Sequence, residues 1–147
     1  MKKRKIILGI LTVLWLAVIW GHSMQPAVVS ESESGSILQL LGKIFPFLLT
    51  SDNGMFIIRK LAHFTEYFIL GILITLQTNM EVRGALKRFL SPALLGLFAA
   101  FIDETIQMFV PGRSGEVRDM WIDFAGGALA ALIVLAIVNN KRSKRNY

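Results

Sequence analysis

The chain has 147 residues, 54% of them hydrophobic and only 18% charged, with a mean hydropathy of +0.56. That balance falls below the roughly 25% charge of soluble domains and excludes an ordinary water-soluble fold, leaving one small integral membrane domain over 1–147. The lack of cysteine excludes disulfides, thiolate metal sites and a cysteine nucleophile.

The first apolar stretch covers 6–24 and follows four basic residues, Lys2, Lys3, Arg4 and Lys5. A basic start and an apolar core also suit a signal peptide. The region Trp20-Gly21-His22-Ser23-Met24 has no clear A-x-A cleavage pattern, so the segment is expected to stay as a first span.

An outer loop comes next. Its polar part, Ser30-Glu31-Ser32-Glu33-Ser34-Gly35, reads as mobile. After it, Ile37, Leu40, Leu41, Ile44, Phe47 and Leu48 recur at helical spacing, with Ser36 and Gln39 resembling a capping box. The stretch is too short to span and is broken by Pro46, so an amphipathic helix lying in the outer interface is expected.

Three more spans follow, at 55–77, 92–110 and 119–138. A bilayer core of about 30 Å needs roughly 17–25 helical residues, which each supplies. The third span has marked ends: Ser91 as cap, Pro92 at the first helical position, and Pro111-Gly112 as the stop. Gly126, Gly127, Ala130 and Ala131 make a small-residue face suited to close helix packing. Trp15, Trp20 and Trp121 read as interface anchors. The expected fold is all-α: an integral membrane four-helix bundle with one interfacial helix in the first outer loop.

Basic residues set the orientation. With four spans, Lys2 to Lys5, Arg83, Lys87 and Arg88, and Lys141, Arg142, Lys144 and Arg145 share one face. That face holds 11 of the 16 basic residues and one acid, Glu81, while the other nine acids lie on the opposite side. Both termini are therefore expected in the cytoplasm of a multi-pass membrane protein. The basic tracts are topogenic signals and lipid anchors, so the +6 net charge does not imply nucleic acid.

Ionisable side chains interrupt these spans, where a charge in hydrocarbon costs several kcal/mol and marks a functional candidate. Arg59, His63 and Glu66 follow i, i+4, i+7 on one face of the second span, with Tyr67 adjoining. Asp103 and Gln107 lie one turn apart on the third, and Asp119 and Asp123 one turn apart on the fourth. At 1.5 Å per residue, His63 lies about 12 Å deep, Glu66 about 16 Å, Asp103 about 10 Å and Asp123 about 6–8 Å, all below the outer surface. Three spans thus bring polar groups to overlapping depths.

His63, Glu66 and Asp103 are the candidate acid–base groups. Arg59, Tyr67, Gln107, Arg113, Arg118, Asp119 and Asp123 are the candidate ligand-binding residues, the arginines being suited to phosphate or carboxylate. Lys60 is read as reaching the headgroups. Glu104 points about 100° from Asp103 and belongs to different surroundings. His63, Glu66, Asp103 and Asp123 can offer nitrogen and oxygen ligands to a divalent ion. No H-E-x-x-H or other compact motif accompanies them, so a metal is not favoured, no metal ligands are assigned and the cofactor stays open. A G-x-S-x-G elbow, a P-loop and a dinucleotide fingerprint are absent.

Three blocks, Ser23-Met24-Gln25-Pro26, then Arg59-Lys60-Leu61-Ala62-His63-Phe64-Thr65-Glu66-Tyr67, then Asp103-Glu104-Thr105-Ile106-Gln107 through Pro111-Gly112-Arg113 with Asp119, Asp123 and Gly126, resemble the VanZ-like family of bacterial membrane proteins. Asp123 stands where that family often has Asn. The resemblance implies a four-helix cell-envelope protein of the bacterial cytoplasmic membrane and a link to teicoplanin susceptibility. The expected partners are membrane lipids, lipid-linked cell-wall intermediates or a lipoglycopeptide, and not nucleic acid. Three readings stay open: a protein that binds or modulates such an anionic lipid, an intramembrane enzyme acting on it, and a structural accessory subunit.

Overall fold

The computed structural model describes residues 2–144; Arg145, part of the basic tail, lies outside them, as does the side chain of Arg142. In chain order the elements are α1 (Lys2–Ser23), α2 (Ala27–Gly42), α3 (Phe47–Thr50), α4 (Gly54–Thr78), α5 (Ala85–Gln107) and α6 (Val117–Ser143). The described residues are helical and contain no strand. Three helices are long and apolar enough to cross a membrane: α1, α5 and α6 up to Lys141. The fourth long helix, α4, has 25 residues and carries Arg59, Lys60, His63 and Glu66 within it.

Helix α4 is the hub. It packs against α1, α2, α5 and, over the longest seam, α6. That seam needs small residues. A Cβ on Gly71 would come within 2.6 Å of the Gly127 carbonyl oxygen, and one on Gly126 would collide with the Phe64 carbonyl. Ala130 and Ala131 are fully buried beside them. The core gathers Ile19, Tyr67, Leu70, Ile74, Ala99 and Ala100, with Trp15, Leu16 and Trp20 packed on it. Two of the three tryptophans expected at the interface thus turn inward, and Trp121 stays exposed. Large apolar side chains face outward on every candidate span, among them Ile6, Val13, Phe98, Phe101, Leu132 and Ile137. Water would penalise such a surface and hydrocarbon would not.

The two ends are tied differently. At one, Lys5 Nζ lies 3.0 Å from Glu81 Oε1, and Arg88 donates to the side chains of Asn79 and Asn139. At the other, Arg113 Nη1 donates to the backbone carbonyls of His22 and Gln25, and the Ala27 N–H donates to the Pro111 carbonyl.

Two local expectations need correction. The polar stretch 30–35 is not a mobile loop but the middle of α2, which starts after Pro26 and runs unbroken to Gly42. Ser36 is accordingly no cap; its hydroxyl donates to the Ser32 carbonyl one turn back. Likewise α5 does not begin at Pro92. It starts at Ala85, after Gly84 at φ 92°, and carries Pro92 inside. An interior proline removes one helix hydrogen bond, yet the flanking turns continue the helix on both sides of it.

Candidate functional site

Helical spacing on α4 sends His63 toward α5 and α6. Its Nδ1 lies 3.5 Å from Asp123 Oδ1 and 3.9 Å from Asp103 Oδ2. Both aspartates are fully buried, and neither touches a Lys or Arg among the described residues. One atom from each of the three side chains fits within 4.8 Å of the others. Gln107 Nε2 donates to Asp103 Oδ2 and to Ser23 Oγ, both at 3.3 Å, linking this cluster to the end of α1.

Glu66 goes elsewhere. Its Oε1 lies 2.6 Å from His22 Nδ1, and its backbone carbonyl accepts from Trp15 Nε1 at 2.9 Å. Tyr67 is buried in the core, and its hydroxyl has no hydrogen-bond partner among the described residues. Asp119 pairs with Lys60, whose ammonium also sits 4.9 Å from the centre of the Phe56 ring. Lys60 therefore meets a partner rather than reaching the headgroups alone. Arg118 is exposed, pairs with Glu116 and stacks near the same ring. Glu104 Oε2 accepts the Glu116 N–H at 2.7 Å and holds the turn leading into α6.

Three openings surround these groups. A polar cleft of about 140 Å³ is bounded by the end of α1, the polar face of α2, and Arg59, His63, Glu66 and Arg113. A second polar cleft, about 120 Å³, is lined by Arg59, Lys60, Arg113, Glu116 and Asp119. Arg59 and Arg113 belong to both. Neither arginine has a carboxylate in ion-pair contact among the described residues. Burial first, and the nearby Arg59 guanidinium second, lower the pKa of Arg113 in its loop. Beside the first cleft, and sharing Ile37, Ala62 and Glu66 with it, runs an apolar groove of about 280 Å³. Trp15, Leu41, Ile58, Leu61, Thr65 and Ile69 complete its walls.

Of the residues expected to act, the structure brings His63, Asp103 and Asp123 together and sets Arg59 with Arg113. It pairs Glu66 with His22 on the wall of the same cleft as His63, buries Tyr67 with its hydroxyl unpartnered, and leaves Arg118 outside the cluster. Sequence reasoning gave no site role to His22, Ser23, Gln25, Glu33 and Ser34, which line the first cleft, although Ser23 and Gln25 stand in the first block of the resemblance. A signal was present: Ser30, Glu33, Ser34 and Ile37 recur at i, i+3, i+4, i+7, a single face of α2.

No curated protein and no solved structure matches the chain. A family model described as VanZ/LLP1 matches residues 8–138, nearly the whole of α1 through α6, and includes every residue of the cluster and both clefts. On that match the chain belongs to the VanZ/LLP1 family, whose name carries an association with glycopeptide resistance.

Proposed function

We propose that this is a four-pass protein of the bacterial cytoplasmic membrane, both termini cytoplasmic, that binds the anionic head of a lipid or lipid-linked cell-wall component. On this reading α1, α4, α5 and α6 span as a bundle, and α2 lies at the outer interface as a lid over the clefts. The observation that carries it is the pair Arg59 and Arg113, which border both polar clefts with no carboxylate in ion-pair contact among the described residues. Two guanidiniums held close together repel unless an anion lies between them, and their planar donors match phosphate or carboxylate. The adjoining apolar groove, walled by Trp15, Leu41 and Ile69, supplies a place for an acyl or prenyl chain beside that head. Through such binding the protein would alter which lipid-linked species reach the surface, and with them the response to glycopeptides.

Full-length protein, extracted in mild detergent, tests this. Each charge-assisted hydrogen bond is worth about 1.5–3 kcal/mol. Arg59→Gln with Arg113→Gln is therefore expected to strip anionic lipids from the purified protein, read by mass spectrometry, while neutral lipids stay. An unchanged lipid profile overturns the proposal.

One observation favours a second reading, an enzyme acting on the bound lipid. His63 lines the same cleft as Arg59 and Arg113 and is backed by two buried carboxylates. That arrangement suits an acid–base group next to a held phosphate. Turnover of an added envelope lipid, lost in His63→Ala, would establish this reading over simple binding.

A further inference from the structure

We propose that His63, Asp103 and Asp123 form a binding site for one divalent first-row metal ion, manganese or zinc, at the floor of the Arg59–Arg113 cleft. This goes beyond lipid binding and rests on different side chains, so either proposal can fail alone.

The first support is unmet polar demand. Buried polar atoms almost always find partners, and each exception calls for an explanation. Here four meet in one place: His63 Nδ1, Asp103 Oδ1, and both carboxylate oxygens of Asp123 make no hydrogen bond. Asp103 and Asp123 are fully buried, so water at the surface does not serve them. A lone acidic pair would ask only for a proton. Three side chains from three helices, turned inward on a common point, ask for a centre.

The second support is charge. Two buried carboxylates face one imidazole, and the nearest ammonium, that of Lys60, is already paired with Asp119. Uncompensated charge in such a place is costly. A divalent cation reverses the balance in one step.

The third is geometry and donor type. Zinc–ligand bonds of about 2.0–2.2 Å place tetrahedral ligands roughly 3.4 Å apart. The imidazole nitrogen already lies 3.5 Å and 3.9 Å from one oxygen of each aspartate. One nitrogen and two carboxylates suit manganese or zinc, while a chain without cysteine offers no thiolate to soft ions. Ligation through Nδ1 uses the neutral ring with its proton on Nε2. Gln107 supplies the supporting layer, donating to Asp103 and fixing the carboxylate's direction. His63 borders the cleft while the aspartates lie behind it, so the remaining coordination positions open toward whatever the cleft holds.

The full-length protein, stripped with chelator and then reloaded with manganese or zinc salt, is assayed for bound metal by elemental mass spectrometry after gel filtration. Wild type is expected to retain one ion per chain. Asp103→Asn and Asp123→Asn are expected to weaken retention by roughly tenfold or more, and Glu81→Gln, at the opposite end, is expected to match wild type. Helical circular dichroism checks that each variant folds. Where an aspartate variant does not fold, His63→Gln carries the comparison, since it leaves both carboxylates in place. Wild type holding less than stoichiometric metal overturns the proposal, as does full retention in the folded variants.

Discussion

Nδ1 of His22 lies 2.6 Å from Oε1 of Glu66, joining the last turn of α1 to the middle of α4. Trp15, two turns earlier on α1, donates to the backbone of the same glutamate. Glu66 is thus gripped at both its side chain and its carbonyl, and the wall between polar cleft and apolar groove is fixed by α1. The side chain at the centre of that wall belongs to both openings.

The His22–Glu66 pair is expected to matter for the cleft more than for folding. His22 is half exposed, and an exposed ion pair contributes about 0–1 kcal/mol. His22→Ala should leave the melting temperature in detergent nearly unchanged while reducing retained lipid. Combined with Glu66→Gln, it should reduce lipid no further than the larger single effect. A double-mutant cycle on retained lipid measures this, and strictly additive losses would show that the two side chains act separately.

Lys60 and Asp119 form the opposite case. Their side chains are only 16% and 9% exposed, so the pair is largely shielded from water although it borders the second cleft. Removing one charge strands the other, which costs about 3–5 kcal/mol, whereas removing both is close to neutral. Asp119→Asn is expected to lower the melting temperature clearly, and Lys60→Met added to it should recover most of the loss. Thermal unfolding of the three proteins checks the order, and a double variant as unstable as the single would contradict it.

Glycine substitutions separate seam from surface. Gly71→Ala forces its new methyl against the backbone of Gly127, and overpacking of this sort costs about 1–3 kcal/mol. Gly96 has open space around its missing Cβ, and alanine is the better helix former there by about 1 kcal/mol. Gly71→Ala should therefore melt earlier than wild type and Gly96→Ala at the same temperature or later. Equal behaviour of the two would mean the helices part easily at this point.

The shared level of His63, Asp103 and Asp123 was legible in the sequence because a helix advances by a fixed rise. Once the spans were set, His63, Asp103 and Asp123 had to lie near one level. The helical class followed from hydropathy alone. What stayed hidden depended on rotation and on contacts between distant segments. Glu66 shares a helix face with His63, yet three residues of separation turn it far enough to meet His22 rather than Asp103. Tyr67, one residue on, turns away into the core. The Ser–Glu run of α2 looked mobile because serine is an indifferent helix former, while its partners, Gln25 and the groove under Ile37, come from elsewhere in the chain. Pro92 looked like a beginning because proline favours first turns, but nothing obliges a helix to start there.

Backbone meets backbone where Gly71 rests on Gly127, leaving no cushion of side chains through which α4 and α6 could slide. The two helices therefore behave as a single strut. If both helices span as proposed, a bilayer that thins or thickens around them is met by leaning of the whole strut, so the spacing of His63 and Asp123 stays constant while their distance from the headgroups changes.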